Sequence, residues 1–421
     1  MITFPQALSI VESQNYHLES ETVELSQAVG RYLLGPLESE IDHPPFSKAA
    51  MDGFAVVRGD DSSELRVLET IAAGQIPRYR VGVGTCSRIM TGAMLPEGAD
   101  MVHRVEYAEE RDGYMVRTQQ EPGRNVIERG ENLKAGEKTL SPRVLEPQDI
   151  GVAASLGVAA LTVMRRPRVG VIATGDELAE PGHELPAGGI YNSNAYQLAA
   201  HARRNGCVPR YYGVAEDSPA ALSEVLARAF AAEDIIILTG GVSKGEFDYV
   251  PEVLEQRGVE ILFHRVAMKP GRPTLFGRRG RETARAGAGE AGDDAGAGEA
   301  ENAAGTNAGA GMQYVFGLPG NPVSAFVTFE VFARPLLHRL AGMRLEPRMS
   351  TGILARSVQK KDSERAEFVP VRWRGGQVEP VSYHGSSHLS ALGEADGLLQ
   401  LDVGNTGFDE GAWVHVRQIR P

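Results

Sequence analysis

The sequence predicts a multidomain α/β protein. It has a central doubly wound parallel sheet, a β-domain inserted into its N-terminal region and a β-barrel-like domain near its C-terminal end. Three observations predict this. Between residues 168 and 340, apolar runs of strand length alternate with segments of helical period, the pattern of a parallel sheet covered on both faces. From about residue 46 to 129 the texture is short apolar alternation cut by Gly, Pro and Asp, which reads as a set of small strands. From about residue 349 the short-strand pattern returns and runs to Val416.

The elements come in order. Thr3 and Gln6, with Pro5 between them, form a capped helix start, and Ala7, Leu8 and Val11 share one face of the helix they open. Residues 22–34 give a short strand and a helical turn. Strands are expected at 54–57, 66–68, 88–90, 101–105 and 114–116, and a helix at 147–156. In the central region, 168–173 reads as a buried strand, followed by a helix near 193–204 and a strand at 208–213. Ser218-Pro219 is an N-cap with proline at the first helical position, opening a helix to about Ala231. Residues 234–239, with three isoleucines in succession, form the most apolar strand. A helix near 249–256, a strand near 259–263 and a strand at 314–317 complete the alternation, and Asn321-Pro322 opens a last helix.

The implied domains are 1–44 with 133–165, an inserted β-domain at 45–132, the α/β domain at 166–345 and a C-terminal β-domain at 346–421. Residues 281–311 interrupt the third. From 284 on they are mostly Ala and Gly, with five acidic residues against Arg285, and they bury too little apolar surface to order themselves. A disordered surface loop between two sheet elements is expected there.

Composition excludes several classes. Lys and Arg number 43 against 55 Asp and Glu, a net charge of −12, so the chain is not expected to coat nucleic acid or an anionic membrane. No uncharged stretch approaches the ~20 apolar residues of a bilayer helix. The first residues lack the basic-then-apolar order of a secretory signal, and a cytoplasmic protein is expected. Cys86 and Cys207 cannot build a disulfide framework or a four-thiolate metal site.

Three loops lie where strands of the α/β domain end, the place at which open sheets bind ligands. The first holds Thr174, Gly175, Asp176 and Glu177. The second runs from Thr239 through Gly240, Gly241, Ser243 and Gly245 to Asp248. The third runs from Gly317 through Pro319, Gly320, Asn321 and Pro322 to Ser324. Glycine lets backbone N–H groups approach an oxyanion, and the helix start beyond adds a favourable dipole. A plain turn between strand and helix explains one such loop; three in one domain point to phosphate binding. Asp176, Glu177, Asp217 and Asp248 all come after strands. Carboxylates beside an anion site repel the anion unless a cation such as Mg²⁺ lies between, though a helix-capping role competes with this for each of them. Lys269 and Arg272, on a stretch stiffened by Pro270 and Pro273, suit capture of a second anion.

The string from Gly241 to Gly245 matches G-x-S-x-G, but no later strand end supplies the acid and histidine of a serine hydrolase. Neither a Walker A nor a G-x-G-x-x-G fingerprint occurs after a strand. His384 and His388 are too few for a zinc site.

At these residues the chain resembles the molybdopterin molybdenumtransferase family, which includes the E domain of gephyrin. The matching stretches are residues 50–56, 89–93 and 174–178, the Gly240–Asp248 loop, 269–271 and 317–324, in the family's order and spacing. The resemblance covers the chain outside 281–311. It implies an enzyme that takes adenylylated molybdopterin and molybdate, hydrolyses the adenylyl pyrophosphate with Mg²⁺, and leaves molybdenum on the dithiolene. By match, Asp52, Thr91, Glu177, Asp217 and Asp248 fall on active-site polar positions, with Glu177 and Asp248 expected at the metal. Lys269, Ser324, Arg365 and Ser386 fall where the family binds molybdate. The resemblance further implies a homodimer whose site is built across the two copies, with Asp52 and Thr91 reaching the partner, and a possible contact with the molybdopterin adenylyltransferase. The chain departs from the family pattern at Asn132, often Asp, at Arg272, often Lys, and at Lys48, where Ser is common.

Overall fold

The computed structural model describes all residues except 15–17, 242–248, 282–310, 345, 361–362, 383–384 and 421. The chain divides into two compact units. One comprises Met1–Glu21, Gly30–Tyr32 and Val163–Pro421; the other comprises Thr22–Val29 and Leu33–Thr162.

The first unit contains the α/β domain. Its elements are β1 Arg168–Thr174, α1 Asn194–Arg204, β2 Val208–Ala215, α2 Pro219–Ala232, β3 Ile235–Thr239, α3 Val250–Gln256, β4 Glu260–His264, β5 Leu275–Gly280, β6 Met312–Leu318 and α4 Pro322–Thr328. They form one six-stranded sheet in the order β2-β1-β3-β6-β5-β4. Ile235, Ile236, Ile237 and Leu238 are all at or near zero exposure. Successive strand residues face opposite sides, so a run buried throughout requires helices on both faces. Ile236 and Leu238 pack with Leu222, Leu226 and Phe230 of α2 and Val253 and Leu254 of α3, while α1 packs with α4.

Ser218 caps α2 as expected, its hydroxyl accepting from the Ala221 N–H at 3.3 Å. Strands β2, β1, β3 and β6 are parallel, but β5 runs antiparallel to β6 and β4 antiparallel to β5. The sheet is therefore mixed at one edge. The expected disordered loop at 281–311 falls in the β5–β6 connection, and its residues 282–310 lie outside the described residues.

The C-terminal part of the same unit is a closed five-strand barrel. Ala366–Arg374 pairs with Gln377–Pro380, then Met349–Leu354, Trp413–Gln418 and Gly397–Leu401, which pairs back to Ala366–Arg374. Val371, Val378, Leu399, Val414 and Val416 fill it. A strand missed in the sequence, Val266–Lys269, leaves the α/β domain between β4 and β5. It adds to Ala366–Arg374 in parallel, placing Lys269 opposite Glu367.

The second unit holds a six-stranded sheet in the order Met101–Arg104, Gly53–Val56, Thr85–Ile89, Glu64–Ile71, Tyr114–Arg117, Ala108–Arg111. The last strand, with the composition Ala-Glu-Glu-Arg, carries no apolar alternation that would mark it in the sequence. Phe54 and Val56 pack into one core and Ala55 into another, on alternate sides of one strand. Both cysteines are buried and unpaired, and burial pushes each thiol up to about 12, which leaves them unreactive.

Candidate active site

The carboxyl ends of β1, β3 and β6 lie side by side, because these three strands are neighbours and parallel. The chain leaves β1 toward β2 on one side, whereas β3 and β6 lie on the other. The gap between β1 and β3 is thus the point where strand order reverses, the favoured ligand crevice of such sheets. A cavity of about 640 Å³ opens there. Thr174, Gly175 and Glu177 of the first loop line it, with Gly240 and Gly241 of the second and Pro319, Gly320, Asn321 and Pro322 of the third. Asp217 lines it too.

Close approach explains two of the glycines. Gly175 has φ +140°, and a Cβ there would lie 2.5 Å from Oε2 of Glu177. Gly240 has φ +93°, and a Cβ would lie 2.4 Å from the carbonyl oxygen of Thr174. A side chain at Gly240 would push the first two loops apart, whereas one at Gly175 would be strained by its positive φ and displace the Glu177 carboxylate of its own loop.

The acidic residues gather at one side. The Asp217 N–H donates to Oδ1 of Asp176 at 3.1 Å. Burial raises the Asp217 carboxyl above its ordinary range, and the charges of Asp176 and Glu177 raise it further. The capping alternative fails for Asp217, since Ser218 caps α2, and for Asp176 and Glu177, since no described helix begins between them and Asn194. Ser243, Gly245 and Asp248 lie outside the described residues. Among the described residues, no three His, Cys, Asp or Glu side chains are placed to hold a metal ion.

Two asparagines that carry no distinctive motif in the sequence build the cavity's far wall. The Asn194 Nδ2 donates to Oγ1 of Thr239 at 2.9 Å and to the carbonyl oxygen of Gly320 at 2.7 Å, tying the second loop to the third. Asn192 accepts from the Ala195 N–H at 3.2 Å and donates to the Tyr211 hydroxyl at 2.7 Å. Tyr211 and Tyr196 both donate to Glu180. Burial would raise the Glu180 carboxyl, but these hydrogen bonds outweigh it and hold the group below its usual range. The only signal in the chain is the polar run Asn192-Ser193-Asn194 at a helix start, which reads equally as capping.

A second cavity, of about 600 Å³, shares Pro273, Pro319 and Asn321 with the first. Lys269, Arg272, Ser324, Arg365 and Ser386 line it, together with Glu367. The four positions expected at molybdate are thus brought to one place by the α/β domain and the barrel. Asn321 Nδ2 donates to the Ser386 hydroxyl at 2.9 Å, and the Ser386 carbonyl accepts from the Val323 N–H at 3.0 Å in the first turn of α4. Lys269 is ion-paired with Glu367 at 2.8 Å.

In the second unit, Asp52 precedes Gly53–Val56 and Thr91 comes after Thr85–Ile89. These strands pair with Gly53 opposite Ile89, which brings the two residues together. Oδ1 of Asp52 accepts from the Thr91 hydroxyl at 2.7 Å and from its N–H at 2.6 Å, and these bonds lower the Asp52 carboxyl.

Residues 2–157 match the MoeA N-terminal region (domain I and II), residues 170–339 the probable molybdopterin binding domain and residues 351–419 the MoeA C-terminal region (domain IV). A molybdopterin molybdenumtransferase of Nostoc sp. is 30% identical over 430 residues, covering 98% of this chain and 91% of the relative. The chain belongs to the molybdopterin molybdenumtransferase family. A molybdopterin molybdenumtransferase of Staphylococcus aureus (strain Mu50) is likewise 30% identical, over 99% of this chain and 95% of its own. The crystal structure of a molybdopterin biosynthesis MoeA protein from Pyrococcus horikosii covers both chains completely at 27% identity with a TM-score of 0.82. As a molybdenumtransferase-family protein, the chain has a role in molybdenum cofactor biosynthesis, and the family expected from its motifs is confirmed. Among the described residues no helix is long and apolar enough to cross a membrane.

Proposed function

We propose that this chain transfers molybdenum from molybdate to adenylylated molybdopterin, with cleavage of the adenylyl pyrophosphate and release of AMP. One observation carries the reading: two cavities of different chemistry share a wall at Pro273, Pro319 and Asn321. The first offers glycine turns and carboxylates, suited to a pyrophosphate and an attacking water. The second offers Lys269, Arg272 and Arg365 with the hydroxyl residues Ser324 and Ser386, suited to a tetrahedral dianion. An anion leaving the first and an oxyanion waiting in the second need no diffusion between sites.

In this reading Gly175, Gly240, Gly241 and Gly320 bring backbone N–H groups to the pyrophosphate, and Pro319 and Pro322 hold the third loop rigid. Hydrolysis adds water across the P–O–P bond, and Glu177 and Asp217 orient that water and take its proton. The crowding that raises Asp217 supports a cation at this edge. Mg²⁺ fits, because it uses one or two carboxylates and completes its shell with water and phosphate oxygens. Glu177 would hold it with Asp248, and it would neutralise charge on the pyrophosphate. Ser243 and Gly245 belong to the same loop as Asp248. The resemblance supports a cytoplasmic homodimer in which Asp52 and Thr91 serve the partner copy's cavity, and delivery of the adenylylated substrate by the adenylyltransferase.

The test is incubation of the pure protein with adenylylated molybdopterin, Mg²⁺ and molybdate, following AMP release and metal incorporation. Glu177→Gln should cut AMP release by ~10²-fold while substrate binding persists. No AMP release by the wild-type protein, or unchanged release by the variant, would overturn the assignment.

A further inference from the structure

Asn321 is the N-cap of α4, the position at which an asparagine side chain ordinarily accepts from the N–H of the second or third helical residue. Here it makes no such bond. The N–H of Val323, the second helical residue, donates instead to the Ser386 carbonyl oxygen at 3.0 Å. The asparagine is thereby released from capping, and its Nδ2 donates to the Ser386 hydroxyl at 2.9 Å. The polarity of this bond matters. An amide NH₂ group can only donate, so it occupies a lone pair of the hydroxyl and leaves the hydroxyl hydrogen for another acceptor. Among the described residues Asn321 is the one hydrogen-bond partner of that hydroxyl. Ser386 is partly exposed and lines the second cavity, where the acceptor-rich oxyanion is proposed to sit. A hydroxyl that already accepts a hydrogen bond is also the stronger donor.

We infer that Asn321 is a positioning residue for the oxyanion: it holds the Ser386 hydroxyl as a hydrogen-bond donor to the anion in the second cavity. The inference rests on the function proposed above and adds to it the residue that sets the direction of one donor. Asn321 acts through Ser386 and needs no contact with the anion. A residue that merely fastened the Ser386 loop to α4 would serve as well with the bond reversed, and the Val323 N–H already fastens that loop.

Molybdate binding at pH 7 is measured by calorimetry for the wild-type protein, Ser386→Ala, Asn321→Ala, Asn321→Asp and the two double variants. Ser386→Ala loses a hydrogen bond to a charged group and keeps the backbone carbonyl that receives the Val323 N–H, so affinity should fall roughly ten- to a hundredfold. Asn321→Ala leaves the hydroxyl unguided and should weaken binding about three- to fivefold. Asn321→Asp is the deciding variant. Its carboxylate can only accept, so it takes the hydroxyl hydrogen away from the anion and should weaken binding about as much as Ser386→Ala does. In the Ser386→Ala background, Asn321→Ala should add no further loss, and Asn321→Asp only the few-fold repulsion of an exposed charge. The excess loss in the wild-type background measures the captured hydrogen. Equal losses for Asn321→Asp in the two backgrounds would overturn the proposal, because charge alone would then be acting. A smaller loss for Asn321→Asp than for Asn321→Ala would overturn it as well, since the bond would then serve in either direction. So would an Asn321→Ala loss that persists without the Ser386 hydroxyl. Absence of molybdate binding by the wild-type protein, or no change in Ser386→Ala, would instead count against the oxyanion site proposed above, and this inference with it.

Discussion

Lys269 and Glu367 stand opposite each other in adjacent parallel strands, and the Lys269 Nζ lies 2.8 Å from Oε1 of Glu367 inside the second cavity. The lysine of the proposed oxyanion site is therefore held in place by a carboxylate, which also opposes part of its charge. Glu367 is 16% exposed and Lys269 50%, so the lysine keeps a solvent-facing side for an incoming anion.

Removing that carboxylate's charge should strengthen oxyanion binding. Glu367→Gln is expected to lower the molybdate requirement a few-fold, the scale of a half-exposed ion pair. Lys269→Ala is expected to raise it. Titration with molybdate at saturating pterin nucleotide reads both, and an opposite sign for Glu367→Gln would show that the carboxylate acts only by positioning the lysine.

Asp217 is raised by burial and by its acidic neighbours, so its ionised form opposes folding. The unfolded carboxyl releases its proton first, so this group's contribution declines as pH rises from the unfolded value through the raised folded one, and the penalty persists at neutral pH. Asp217→Asn should therefore raise the Tm at pH 7 without divalent cation and lower AMP release. Added Mg²⁺ should stabilise the wild-type protein more than the variant. A lower Tm in the variant would contradict the repulsion.

Asp52 shows the reverse shift. Hydrogen bonds from the Thr91 hydroxyl, and then from its N–H, favour the carboxylate. Their stabilising effect is present above the unfolded pKa and fades as pH falls through the folded one. Thr91→Val removes the hydroxyl and keeps the N–H. The Asp52 carboxyl should then titrate at higher pH, as read by NMR of a labelled aspartate, with the strand pairing intact. An unmoved titration would mean that the hydroxyl contributes nothing.

His201 sits with its ring 4.8 Å from that of Phe326 and 5.1 Å from that of Phe329. Burial lowers its pKa to about 4, and the charges of Arg204 and Arg334 add to this. Burial lowers His338 similarly, to about 4. The unfolded chain binds these protons near pH 6.5, so stability should be full above that and fall as pH drops toward 4. The slope of Tm against pH in that window should be shallower in His201→Gln than in the wild-type protein. Equal slopes would place the acid sensitivity elsewhere.

Elements whose formation is local are legible in the chain. The capping box of Thr3 and Gln6, the Ser218-Pro219 helix start and the apolar run ending at Thr239 are each written in adjacent residues, and each is present. The three glycine loops are legible for the same reason, since a strand end, a glycine and a helix start lie within a few positions of one another. Which loops meet is set by long-range packing. Asn194 ties Thr239 to Gly320 across 45 and 126 residues of chain, and Lys269 meets Glu367 across 98, distances over which no periodicity reports. Packing also sends Val266–Lys269 from one sheet to join another and returns β5 antiparallel, because strand pairing depends on which partner edge is free rather than on the strand's own residues. An asparagine at a helix start reads as a cap, and only the positions of Thr239 and Gly320 engage the NH₂ group of Asn194.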